Sequence, residues 1–179
     1  MLRDELTELL RTGNEIVSAF SGLSPEKLNF RAEPKSWSIA QCLDHLIVSN
    51  RTYFPVFEKL SKPDYKIKFW EKYSPFTRTT GKQMVETLGR VVTKKFTAPK
   101  IFQPGSRPLS AKVVADFAVH QEELIKILSA LTEEQYNSAV VTSPVAPLIT
   151  LNLKDAIRVI IVHEQRHFEQ AKRVLAQLQ

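Results

Sequence analysis

Apolar side chains recur at alternating spacings of three and four residues in four long stretches of this chain, and this limits the fold more than any other feature. The spacing places the apolar residues of each stretch on one face of an α-helix, which must be buried against a neighbouring helix. The stretches cover residues 2–20, a segment that begins at Ser38, residues 108–130 and residues 153–177. No stretch alternates apolar and polar residues in the way that predicts a strand. The sequence therefore predicts an all-α four-helix bundle, in a single domain over residues 1–179.

The second helix has the clearest start signal in the chain. Ser38 can cap the helix while Gln41, three residues later, reaches back to the backbone of Ser38, which is a capping box. Pro55 falls inside the apolar pattern of this helix and is expected to kink it or to end it early.

Residues 61–107 form a long irregular crossover between the second and third helices. Several prolines, scattered aromatic residues and a Thr/Gly cluster at residues 77–81 predict loops here, interrupted by a short helix over residues 83–92 and an extended run over residues 94–103. Residues 143–147 are expected to form a second, proline-bounded loop. The crossover either covers a functional site or packs its aromatic side chains beneath a surface loop.

The composition excludes several classes of protein. No apolar stretch approaches the roughly 20 residues that cross a bilayer, and the first residues lack the pattern of a signal peptide. The single cysteine, Cys42, cannot form an internal disulfide, so a reducing cytoplasm is the expected compartment. The net charge is +6, but the basic residues are spread along the chain and are densest at residues 62–72. This distribution favours a solvated basic surface over nucleic-acid binding.

Two histidines on the fourth helix are the main candidates for chemistry. His163 and His167 lie four residues apart in the run HEQRH, so both rings project from one face and could bind one divalent ion. They fall on the apolar side of the helix, where a buried imidazole needs a partner. A pair at this spacing is weak by itself, since it occurs in many helices. His45, in the run WSIAQCLDHL on the second helix, would complete a three-histidine site with open coordination positions.

The run HEQRH also fits the H-E-x-x-H motif of zinc proteases, with Glu164 as general base. The extended form of that motif needs Gly and His where this chain has Gln170 and Arg173. Only twelve residues follow His167, which leaves no room for a distant glutamate ligand, and no strand pattern precedes the motif. These features argue against a protease.

Two further residues are weighed as site members and set aside. His120 lies at the edge of the buried stripe of the third helix, and we expect a core or partly exposed histidine rather than a fourth ligand. Cys42, near His45, is expected to be a small buried residue of the second helix.

The second and fourth helices together resemble those of the DinB/YfiT-like superfamily. That family combines a Trp-Ser helix start and one His on the second helix with an H-x3-H pair and a following Gln on the last helix. The matching residues here are Trp37, Ser38, His45, His163, His167 and Gln170. The resemblance implies an up-down-down-up four-helix bundle and a three-histidine site for zinc, nickel or a similar divalent ion. It also implies relatives that act as thiol-dependent S-transferases and isomerases with bacillithiol or mycothiol.

The functional expectation is a metal-dependent hydrolase or thiol-dependent S-transferase that acts on a small molecule. His45, His163 and His167 would hold the ion, and a low-molecular-weight thiol would be a second cofactor for the transferase. Glu164 is a candidate catalytic base or a residue that supports a ligand, with a solvated glutamate on the helix surface as the alternative. The competing hypothesis is a non-catalytic helical bundle that binds a small ligand or protein partner. Whether the protein forms a homodimer is left open.

Overall fold

The first and last long helices begin and end close to where the apolar spacing predicts, whereas the third begins at Val113, five residues after the predicted start at residue 108. A computed structural model describes residues 1–34, 36–62, 65, 77–89, 103, 107–144 and 146–178. In chain order the elements are α1 (Leu2–Phe20), α2 (Pro25–Asn29), α3 (Ile39–Arg51), α4 (Phe54–Leu60), α5 (Thr77–Gly89), α6 (Val113–Ser129), α7 (Glu133–Ser138), β1 (Val140–Ser143), β2 (Ala146–Asn152) and α8 (Leu153–Leu175). The four predicted helices correspond to α1, α3 with α4, α6 and α8.

The capping box predicted at the start of α3 is confirmed. The Gln41 backbone N–H donates to Ser38 Oγ over 3.2 Å, and the Ser38 N–H donates to Gln41 Oε1 over 3.1 Å. The apolar pattern beyond α3 continues as a separate helix, because α3 ends at Arg51 and α4 begins at Phe54. Pro55 stands in the first turn of α4, where a missing N–H costs no intrahelical bond.

A β-hairpin occupies residues 140–152 and extends on both sides of the loop predicted at residues 143–147, so the prediction of a chain without strands is wrong. β1 and β2 pair antiparallel, with Val141 opposite Leu151, and both of these side chains are fully buried. Only a few residues alternate, and Pro144 falls in the turn, so the period-two signal is too short to recognise. Contact with the helices stabilises the hairpin, since an isolated pair of strands is marginally stable in water.

Helix α5 begins at Thr77, six residues before the predicted helix at residue 83, so the loop predicted at residues 77–81 is wrong. The hydroxyls of Thr77 and Thr150 form a 2.8 Å hydrogen bond that ties α5 to β2. Gly81 lies directly against the Asp155 carboxylate of α8, where any Cβ would collide with it. These tertiary contacts offset the weak helix propensity of the Thr/Gly cluster.

Two predictions on the crossover concern residues beyond those that the structure describes. The extended run over residues 94–103 lies outside the described residues except for Gln103. The basic stretch at residues 62–72 lies outside them except for Lys62 and Tyr65.

The four long helices form a ring in which two pairs of consecutive helices, α1 with α3 and α6 with α8, are not packing partners. α1 packs against α6 and α8, and α3 packs against the same two helices, whereas contacts between α1 and α3 and between α6 and α8 are few. α1 and α8 run parallel. Glu5 of α1 accepts a hydrogen bond from Arg158 of α8, and Glu8 accepts one from Gln165, which is further toward the C-terminal end of both helices. α3 runs antiparallel to α8, because Trp37, which precedes α3, contacts His167 near the end of α8.

α6 runs antiparallel to α1, which completes the up-down-down-up arrangement expected from the resemblance. The start of α1 shares an apolar cluster with Leu124 and Leu128 at the end of α6. The end of α1 shares the other cluster with Val113 and Phe117 at the start of α6. The prediction of a four-helix bundle is confirmed, with the hairpin and α5 added at one end of α8.

A buried polar layer separates the two apolar clusters. Each helix of the ring contributes to it, and its members are Thr12 from α1, Asn50 from α3, His120 and Gln121 from α6, and Glu164 from α8. Gly13 lets α1 approach this layer, because a Cβ there would lie 2.9 Å from Gln121 Nε2. Among the described helices, none combines the length and the apolar character needed to span a membrane.

Candidate metal centre

Helix α8 presents two imidazoles toward α3. His163 and His167 are one turn apart, and their ring centroids lie 4.6 Å from each other at nearly a right angle. His167 is buried, while His163 is half-buried and forms the accessible edge of the pair. The pair therefore lies at the border between the core and the surface, as its position on the apolar stripe predicts.

His45 on α3 joins the pair, so the structure brings together the three histidines that the sequence singles out. Its ring centroid is 5.0 Å from that of His163 and 4.7 Å from that of His167. The Nε2 atoms of His45 and His163 are 3.2 Å apart, and one nitrogen from each of the three rings lies within 4.8 Å of the others. Packing of α3 against α8 supplies the proximity that periodicity alone could not establish.

The donor set fits a divalent transition-metal ion. With metal–nitrogen bonds of about 2.0–2.1 Å, two nitrogens on one ion lie roughly 3.0–3.4 Å apart, which matches the 3.2 Å between His45 and His163. Imidazole nitrogens suit zinc, nickel and related ions. The buried Nδ1 of His167 has no hydrogen-bond partner in the described part of the chain, so the protein leaves this ligand atom unsatisfied.

Burial and neighbouring charges hold the rings of His163 and His167 neutral, which is the form of imidazole that binds metals. Burial lowers the pKa of His163 to about 3, and the charges of His45 and Arg166 act in the same direction. Burial likewise lowers the pKa of His167 to about 2, with further contributions from His163, His45 and Arg166.

Trp37 forms an aromatic wall over two of the histidines. Its ring stacks on His167 at a centroid distance of 5.5 Å and an interplanar angle of 14°, and it lies 4.8 Å from the ring of His45 in a tilted arrangement. The indole itself is half-buried. It restricts the orientation of both imidazoles and shields one side of the cluster from water.

Glu164 belongs to the buried polar layer, and its side chain is fully buried, so the alternative of a solvated surface glutamate is wrong. Asn50 Nδ2 donates to Glu164 Oε1 and Gln121 Nε2 donates to Glu164 Oε2, each over 2.8 Å. Burial raises the pKa of this carboxyl to about 8, against the opposing effect of the two amide donors. The carboxyl thus links α3, α6 and α8 beside the histidine cluster.

The two residues set aside from the sequence are core residues. His120 is fully buried and stacks on Phe54 with centroids 5.2 Å apart and rings almost parallel, outside the three-histidine cluster. Burial lowers its pKa to about 4, with a smaller contribution from Arg51. Cys42 is also fully buried, which raises the pKa of its thiol to about 12 and makes it unreactive at neutral pH.

Asn50 and Gln121 are the supporting residues that sequence reasoning missed. Both are amides on the buried faces of their helices, and this interruption of the apolar stripe is the signal that could have identified them. Their common partner, Glu164, could not be inferred, because the contact joins residues 43 and 114 positions apart in the sequence.

Comparison with known proteins places these features in a family. The model of the DinB superfamily matches residues 8–171. A relative, the protein YuaE of Bacillus subtilis (strain 168), is 29% identical over 167 residues, which are 92% of this chain and 91% of YuaE. The solved structure of YfiT from Bacillus subtilis, described as "a probable metal-dependent hydrolase with an unusual four-helix bundle topology", covers 99% of this chain and 87% of its own, with a TM-score of 0.61 at 12% identity. With a family match over most of its length and the same bundle architecture, the chain belongs to the DinB superfamily.

Proposed function

We propose that this protein is a metal-dependent enzyme that acts on a small molecule, as a hydrolase or a thiol-dependent S-transferase. His45, His163 and His167 would hold the divalent ion, with zinc or nickel as the expected metals. The observation that carries the proposal is the convergence of three imidazoles from two helices, with two ligand nitrogens at 3.2 Å. The description of YfiT as a probable metal-dependent hydrolase supports the hydrolase form, and the family resemblance supports the transferase form.

Three protein ligands leave coordination positions for water, a thiol or substrate. When bound, the ion supplies Lewis acidity that brings the pKa of such a water or thiol toward neutrality. The protein's own contribution is to present neutral rings in a fixed geometry. Half-buried His163 gives access from one side, and Trp37 excludes water from the other.

Glu164, adjacent to a proposed ligand, is retained as the candidate residue that assists the site. The geometry favours a positioning role over that of a catalytic base, because both carboxyl oxygens accept from buried amides and the side chain has no contact with solvent. Glu164 joins α8 to Asn50 of α3, and this contact fixes the position along the helix axes at which His45 approaches His163. Residues that orient ligands in this way typically affect metal affinity by about 10–100-fold.

The deciding experiment is metal analysis, by inductively coupled plasma mass spectrometry, of protein purified without a histidine tag. We expect about one zinc or nickel ion per chain, and its loss in His45→Ala and His163→Ala. His120→Phe is the matched control, because it removes a buried histidine outside the cluster and should keep the metal. Full metal occupancy in both alanine variants, with helical content unchanged by circular dichroism, would refute the ligand assignment.

Catalysis requires a separate measurement on the metal-loaded protein. A panel of esters and amides tests the hydrolase, and electrophiles combined with low-molecular-weight thiols test the transferase. Turnover that disappears in His163→Ala supports an enzyme. A stable metal site without turnover on any of these substrates would favour the non-catalytic bundle.

A further inference from the structure

An arginine pair on α8 borders the histidine cluster. Arg166 follows His163 by three residues and precedes Arg173 by seven, so all three side chains share one side of the helix. Gln170 lies between the two arginines, four residues after Arg166. Arg166 and Gln170 are half-buried, and Arg173 is exposed. A continuous polar strip therefore runs from the accessible edge of the cluster toward the end of α8.

No ion pair among the residues that the structure describes includes Arg166 or Arg173. Glu169 lies between them on the same helix, yet it pairs with Lys172. Arg166 is half-buried, and a partly desolvated guanidinium without an acidic partner is destabilising unless an anion compensates it.

Both arginines follow the histidine pair along α8. Arg166 precedes His167 directly and lies one turn after His163, and Arg173 lies two further turns along the same side of the helix. Because α3 runs antiparallel to α8 and Trp37 contacts His167, both arginines lie toward the end of α8 that meets the beginning of α3.

We propose that Arg166 and Arg173 bind an oxyanion, a carboxylate or phosphate group, of the molecule on which the histidine site acts. This inference rests on the proposed function for its meaning, although binding of the oxyanion itself does not require the metal. Guanidinium groups bind such oxygens in a bidentate fork, which gives both charge and orientation. The helical rise puts Arg166 about 4.5 Å from His163 along the axis, so the reacting bond lies within a few bonds of the anionic group.

Calorimetric titration of the metal-free protein tests this proposal directly. The probes are inorganic phosphate, succinate and, as a neutral analogue, succinamide. We expect saturable binding of phosphate or succinate and none of succinamide, and the tighter of the two anions identifies the substrate's group. Arg166→Gln should weaken the binding by about tenfold or more, because it removes both the charge and the forked hydrogen bonds. Arg166→Lys keeps the charge without the fork and should fall between the two.

Arg3→Gln is the matched control, because it removes one exposed positive charge at the far end of the bundle. Equal affinity in wild type and Arg166→Gln would overturn the proposal, as would the absence of saturable binding of both anions to the wild type. His163→Ala separates this inference from the proposed function. If that variant loses metal but keeps oxyanion binding, both stand. If the wild type binds the oxyanion without ever binding metal, only the proposed function fails.

Discussion

Replacement of Glu164 tests whether the buried polar layer holds the histidine site together. In Glu164→Ala the Asn50 and Gln121 amides lose the acceptors that they reach over 2.8 Å, and both are buried. Glu164→Gln is the appropriate reference, because it keeps the shape, and Gln121 can turn its amide to offer an oxygen. Both variants remove the buried acid, so its desolvation cost cancels in the comparison.

The difference between these variants can be worked from the contacts. Two buried amides without partners cost about 1–3 kcal/mol each, and the volume lost in alanine adds a cavity term. Glu164→Ala should therefore be less stable than Glu164→Gln by about 3–5 kcal/mol, or roughly 10 °C in Tm for a chain of this size. Urea unfolding, followed by circular dichroism, measures the difference in the free energy of unfolding, and scanning calorimetry measures the difference in Tm.

A reciprocal exchange makes the test specific to the contact between α3 and α8. In the double variant Asn50→Asp with Glu164→Gln, the amide and the carboxylate change places and the hydrogen bond is restored. We expect it to recover metal affinity lost in Asn50→Asp, with a coupling energy of about 0.5–3 kcal/mol in a double-mutant cycle. Equal stability of Glu164→Ala and Glu164→Gln, together with additive single effects in the cycle, would refute the positioning role.

Two further predictions concern Trp37 and His120. Because Trp37 lies 4.8 and 5.5 Å from the rings of His45 and His167, copper or nickel should quench its fluorescence in a Trp70→Phe background. Unaltered emission on addition of an ion that demonstrably binds would contradict the site geometry. In the folded protein the pKa of His120 is lowered to about 4. As the pH falls from 6.5, this histidine is therefore protonated in the unfolded chain before it is protonated in the folded protein. Stability should drop by about 3 kcal/mol between pH 6.5 and pH 4 from this group, and His120→Phe should reduce that loss in urea titrations. An equal loss in wild type and variant would show that the buried ring contributes nothing.

Much of the fold could be predicted because the helices carry their own signals. The spacing of apolar residues set α1 and α8 almost to the residue, and the Ser38–Gln41 capping box set the start of α3. The hairpin and the start of α5 could not be predicted in this way. Val141, Leu151 and Thr77 adopt their conformations through contacts with distant parts of the chain. The organisation of residues 1–179 as a single domain stays a prediction.

The candidate site was predictable in its chemistry but not in its surroundings. Histidine spacing identified His163 and His167, and His45 on the second predicted helix was expected to complete the site. The stacking of Trp37 on these rings and the amide partners of Glu164 arise only from the packing of α3 and α6 against α8. Sequence periodicity assigns each residue to a face of its own helix, and it contains no information on the height at which two helices meet.

The order of helices around the ring has a consequence for how the protein folds. α1 and α3 are the first two ring helices along the chain but have few contacts with each other. The apolar face of each becomes buried only when α6 and α8 pack against it. Pairings this distant in sequence carry a larger loop-closure entropy than those of a simple up-and-down bundle, so folding is expected to be slower. The rings of His45 and His163 meet across 118 positions of sequence. An ion that requires both therefore binds only the finished bundle and stabilises it by mass action.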